Sequence, residues 1–198
     1  METTQPTLTP ALQPILDGSL LEGTELSWLP GSAVPGPQNR LLVHDRDMTT
    51  ALGDFHQDTI TLSVLRARQE GELYHREVTL NTASGGHAVE YGLIVIHLDA
   101  FPESLRPLIV AGRTPLGSIL NDSGLPYLSQ PQGFYSVPAG VLASVFPRSS
   151  GGEVLYGRYN QLVRADGPCL ARILEILPSS SGGVSSPTPS EPSPDEHA

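Results

Sequence analysis

Leu73-Tyr-His-Arg-Glu-Val-Thr-Leu-Asn81, then Thr82-Ala-Ser-Gly-Gly86, then Val89-Glu-Tyr-Gly-Leu-Ile-Val-Ile-His-Leu98 decide the fold of this chain. The first run alternates apolar and polar residues, as a strand with one covered face does. The glycine-rich run is a turn signal, and the second run is apolar on both faces towards its end. Together they predict an antiparallel hairpin.

Outward from the hairpin, Ile60, Leu62 and Val64 open a further strand over 60–68. Asp45–His56 reads as a capped helix, with Asp47 or Thr49 as N-cap and Ala51, Leu52 and Phe55 as its apolar stripe. Thr114-Pro115-Leu116 starts another helix with Pro in its first turn, and that helix should stop near Gly124. Residues 154–163 and 169–177 are two more strands, joined by the turn Arg-Ala-Asp-Gly-Pro at 164–168. The expected class is α+β, an antiparallel sheet with short helices packed on it. Residues 1–40 read as a short helix over 9–22, interrupted by Pro14, and a Pro/Gly-rich lead with a loop over 29–39. Residues 41–178 are the folded domain, and 179–198 a Ser/Pro-rich disordered tail.

Composition removes several functions. All eleven basic residues are arginine, so no lysine is available for a Schiff base, a pyridoxal anchor or a phosphate loop. A formal charge of −10 argues against nucleic-acid binding. The single cysteine, Cys169, excludes an internal disulfide and a Cys-rich zinc site, and it reads as core. The histidines show no metal-ligand spacing, and no nucleophile-elbow motif is present. No apolar run is long enough to span a membrane and no signal-peptide pattern opens the chain, so a cytoplasmic location is expected.

Strand parity singles out three charged residues. Arg76 shares a face with Tyr74, Val78 and Leu80. Glu175 shares one with Cys169, Ala171, Ile173 and Leu177. Arg158 shares one with Val154, Tyr156 and Leu162. A charge on an apolar face needs a partner. Two readings stay open. Arg76 and Glu175 form a structural ion pair or one of them lies at a sheet edge, or the two stand at opposite ends of a closed pocket for an anionic ligand.

The succession Tyr74-His-Arg-Glu-Val-Thr-Leu80, Gly112-Arg-Thr-Pro-Leu-Gly-Ser-Ile-Leu120, Tyr156-Gly-Arg-Tyr-Asn160 and Leu170-Ala-Arg-Ile-Leu-Glu-Ile-Leu-Pro178 resembles the chorismate pyruvate-lyases, over roughly 41–178. The resemblance implies an antiparallel sheet enclosing a ligand. It also implies a cofactor-free conversion of chorismate to 4-hydroxybenzoate and pyruvate, with aromatisation as driving force, in the biosynthesis of ubiquinone or another aromatic metabolite. By resemblance, Arg76 holds the ring carboxylate with the backbone amides of Met48 and Leu116, and Glu175 faces the 4-hydroxyl as the second catalytic residue. One departure stands out. Family members carry Gly-Arg-Thr where this chain has Gly92-Leu93-Ile94, leaving Arg158 or Arg113 to contact the second carboxylate. The same fold resembles the effector-binding domain of GntR-type regulators, which implies instead a non-catalytic module for a small aromatic acid. Those regulators carry a winged helix ahead of the domain; the roughly 40 residues given ahead of it here are Pro-rich and acidic with one arginine, so DNA binding is not expected.

Overall fold

The computed structural model describes residues 9–149, 152–165 and 167–179. The expected tail lies almost wholly outside them. In chain order the elements are α1 (Thr9–Leu16), β1 (Ser27–Leu29), α2 (Gln38–Leu42), α3 (Met48–His56), β2 (Ile60–Glu70), β3 (Leu73–Thr82) and β4 (Ala88–His97). They continue with α4 (Arg106–Ala111), α5 (Leu116–Ser123), β5 (Tyr127–Pro138), β6 (Val154–Arg164) and β7 (Cys169–Leu177). The strands make one seven-stranded sheet, ordered β1-β5-β6-β7-β4-β3-β2, with every neighbouring pair antiparallel. The α+β class expected from the hairpin pattern is the one found.

Central position explains the doubly apolar β4, which pairs with β3 on one side and β7 on the other. Its odd residues Tyr91, Leu93 and Val95 pack with Leu12, Ile15 and Leu16 of α1. Its even residues Ile94 and Ile96 pack with Ile109 of α4 and with Leu116, Ile119 and Leu120 of α5. A strand covered on both faces loses the polar alternation of an edge strand.

The lead ahead of residue 41 is built into this domain. Pro14 sits inside α1 without ending it. Buried Glu77, on the α1 side of β3, accepts hydrogen bonds from the Leu20 amide at 2.9 Å and the Tyr91 hydroxyl at 2.6 Å. The loop expected over 29–39 carries the end of β1, a 3₁₀ turn at Gly31–Ala33 and the start of α2.

Asp47 caps α3, accepting from the Thr50 amide at 2.9 Å; Thr49 lies inside the helix. Gly124 ends α5 at φ +66°, as its position predicted. Pro115 is the N-cap of α5 rather than a residue of its first turn. The long β5 is not among the expected strands. Pro131, Gly133 and Pro138 break its pattern, and the sheet accommodates them with a register shift between Pro131 and Gly133.

Candidate functional site

The even residues of β3 and β4 and the facing residues of β6 and β7 form the floor of a cavity whose roof is the N-termini of α3 and α5. The space between floor and roof, with the open solvent at its mouth included, is about 540 Å³. Arg76, Met48, Leu116 and Glu175, brought together by sequence reasoning, all line it. Its apolar walls include Val78, Leu80, Ile94 and Ile173.

Arg76 is 4% exposed and takes part in no ion pair among the described residues. Its Nη1 lies 3.5 Å from the Ile109 carbonyl, its Nε has no partner among the described residues, and its guanidinium carbon stands 5.8 Å from the centre of the Tyr74 ring. Burial pulls its pKa below the ordinary arginine value, opposed by Tyr74. A guanidinium held this way keeps donors available for an anion.

Glu175 is paired elsewhere. Its Oε2 accepts from Nε of Arg158, which is its register partner on β6 and fully buried. The ion pair between Arg76 and Glu175 that parity allowed is therefore not the one formed. Arg158 directs its remaining donors to backbone carbonyls, with Nη1 3.0 Å from the His44 oxygen and Nη2 3.2 Å from the Arg46 oxygen. His44 completes this cage. Its Nε2 donates to the Leu41 carbonyl at 2.7 Å, and its Nδ1 lies 3.3 Å from Arg158 Nη1. Burial, then the Arg158 charge, lowers the His44 pKa, which suits an Nδ1 that accepts. Arg158 consequently stands behind Glu175 and outside the cavity lining, while Arg113 is exposed. Neither is placed to replace the arginine missing at Leu93, which itself faces the α1 side of the sheet.

Met48 and Leu116 are the first residues of their helices, so their amides have no intrahelical acceptor. The two helix starts lie close together. A Cβ on Gly117 would sit 2.7 Å from Asp47 Oδ1. Asp47 also receives Tyr127 and Asn121 at 3.3 and 3.4 Å, so the chain's own carboxylate already occupies this corner.

One wall residue escaped the sequence reading. Glu90 is 3% exposed and its Oε2 has no hydrogen-bond partner among the described residues. Burial, then the neighbouring Glu175 charge, raises its pKa well above the usual carboxylate range, with Arg158 opposing and Asp47 adding. The signal that would have found it is parity, since Glu90 shares its face with Gly92, Ile94 and Ile96. Gly92 makes room for it. A Cβ there would lie 3.1 Å from Glu90 Oε1 and 3.2 Å from Val78 Cγ2.

A wider groove of about 760 Å³ opens between α2, Val89 and residues 145–149. No buried charged side chain lines it among the described residues. Also among these residues, no three His, Cys, Asp or Glu side chains cluster as metal ligands would, and no helix is long and apolar enough to cross a membrane.

No protein-family model matches the chain, and no curated protein matches it. Among solved structures, the chain is similar to PhnF from Mycobacterium smegmatis, with a TM-score of 0.49 and 10% identity over 69% of this chain. The match spans 65% of the PhnF chain, just under two thirds of its length.

Proposed function

We propose that the chain is a binding module for a small, single-carboxylate acid, held in this cavity with its carboxylate on Arg76. The observation that carries this reading is a buried guanidinium in the cavity wall that no carboxylate of the described chain pairs with. Leaving such a charge uncompensated costs several kcal/mol, on the order of what an anionic ligand returns. The apolar walls suit a ring or a compact hydrocarbon body.

A second reading, chorismate pyruvate-lyase, is favoured by one specific feature: Met48, Leu116 and Glu175 line the same cavity as Arg76. Against it stands the charge of the far wall. A second carboxylate would meet Glu175 and Glu90, while Arg158 is committed to Glu175. Titration calorimetry with 4-hydroxybenzoate should show binding, and Arg76→Ala should weaken it at least about tenfold, the scale of one charge-assisted hydrogen bond. Equal affinity in the variant overturns the carboxylate reading. Incubation with chorismate, followed by coupled detection of pyruvate, separates the two readings. The binding module releases none, and turnover that Arg76→Ala abolishes establishes the lyase.

A further inference from the structure

We propose that Glu90 presents its carboxyl to the bound acid as a hydrogen-bond donor, and that Glu90 and Glu175 together select ligands carrying a hydroxyl at the end opposite the carboxylate. This rests on the reading of Arg76 as the carboxylate anchor.

The geometry sets the two ends apart. Arg76 pairs in register with Ile94, and Val78 with Gly92. The Glu90 side chain lies back over Gly92. The Arg76 head leans the other way, over Tyr74. The two polar ends are thus separated by at least two residues of strand, roughly 6–7 Å. A six-membered ring with a carboxylate at one end and a polar group opposite spans such a gap, and between the ends β3 and β4 contribute Val78, Gly92 and Ile94 to the floor. Glu175 reaches the same end from the other side, because its register partner on β4 is Gly92.

The two carboxyls differ in what they offer. Glu175, ion-paired with Arg158, is an acceptor. Glu90 forms no ion pair among the described residues, and burial together with the Glu175 charge, against the opposing Arg158, favours the protonated carboxyl. A carboxyl held neutral offers an O–H donor beside an acceptor oxygen. A ligand hydroxyl satisfies both residues at once, giving its proton to Glu175 and accepting from Glu90. An unsubstituted ring leaves the unpartnered Glu90 oxygen and the Glu175 acceptor unsatisfied. An amino group supplies donors where Glu90 needs an acceptor. Selection of this kind is strong because a buried polar group left unpaired costs more than the bond is worth in water.

The test uses the full chain and three probes, 4-hydroxybenzoate, benzoate and 4-aminobenzoate, titrated calorimetrically near neutral pH. The variants are Glu90→Leu, Glu90→Gln and Arg76→Ala, each first shown to unfold cooperatively. The wild type should bind 4-hydroxybenzoate at least about tenfold more tightly than either analogue, one buried hydrogen bond being worth about that factor. Glu90→Leu should erase most of the preference over benzoate, because the donor that meets the hydroxyl is gone. Glu90→Gln, whose amide still donates, should retain the preference. If acids bind through Arg76 but Glu90→Leu keeps the full preference for the hydroxyl, this inference fails and the carboxylate reading stands. If none of the probes binds, both fail. If Glu90→Leu does not fold, Glu90→Gln decides: loss of the hydroxyl preference there overturns the inference, and its retention, with 4-aminobenzoate still disfavoured in the wild type, supports it.

Discussion

At the scale of single residues, the cavity is defined by how differently its charges are treated. Arg158 is fully buried and satisfied by Glu175 and three carbonyl oxygens. Arg76 is nearly as buried and carries an Nε without a partner. The first is architecture, and the second is the group proposed to hold a ligand carboxylate. Glu90 leaves a signature in stability as well. Its folded-state pKa is raised by burial and by Glu175, Asp47 adding, with Arg158 opposing; Arg76 is the other charged group lining the cavity. The native state therefore holds a proton that the unfolded chain releases above the ordinary Glu value. This lowers stability as pH rises from about 4.3 towards the raised value, by at most about 1.4 kcal/mol per pH unit. Glu90→Gln removes that dependence. Urea midpoints of variant and wild type should diverge in the variant's favour between pH 5 and pH 8. A difference that does not change with pH contradicts a proton held on Glu90.

Residue by residue, parity placed Arg76 and Glu175 correctly on inward faces, because a strand's alternation is a local property of its backbone. Parity could not say which cation meets Glu175. Arg76 and Arg158 both face the same side of the sheet, and the choice rests on register. Arg158 is directly opposite Glu175 across β6 and β7, whereas β4 lies between Glu175 and Arg76. Register is a long-range property that no window of sequence contains.

At the scale of elements, the roof of the cavity depends on the meeting of α3 and α5. Asp47 caps α3 through the Thr50 amide and hydroxyl, and takes contacts from Tyr127 and Asn121 besides. Asp47→Ala should cost about 1–2 kcal/mol, the range of a lost N-cap, and lower the thermal midpoint by a few degrees in a scanning melt. Gly117→Ala should be worse than an ordinary helix Gly→Ala change, which is normally favourable. Its Cβ would meet Asp47 Oδ1 at 2.7 Å and Thr49 Oγ1 at 3.2 Å, forcing the two helix starts apart. Both starts were legible, one from the Asp47 cap and one from Thr114-Pro115. The strand β5 was not, because its two prolines and Gly133 look like loop chemistry. It is held by pairing to β6 along nearly its whole length and to β1 at its end. Tertiary pairing overrode local propensity there.

At the scale of the whole molecule, the ion pair of Glu175 and Arg158 ties the sheet to the segment that enters α3, since Arg158 also holds the Leu42, His44 and Arg46 carbonyls. Glu175→Leu should destabilise the protein by about 3–5 kcal/mol, because it strands a buried cation. Adding Arg158→Met to it should recover part of that loss. A double variant that unfolds in urea at a lower midpoint than Glu175→Leu would show that the cage of carbonyls, rather than the carboxylate, is what Arg158 is buried for. Residues ahead of 41, read as a lead, complete the molecule by covering the second face of the sheet through Leu12, Ile15, Leu16 and Leu21.

Amino-acid order alone was enough for five of the seven strands, the starts of α3 and α5 and the inward direction of Arg76 and Glu175, because alternation, caps and turn residues act over a few bonds. Which guanidinium pairs with Glu175, and that Arg76 Nε and Glu90 Oε2 lack partners among the described residues, were settled by folding. Charge pairing and burial depend on which strands lie side by side and on what covers them, and those neighbours come from distant parts of the chain.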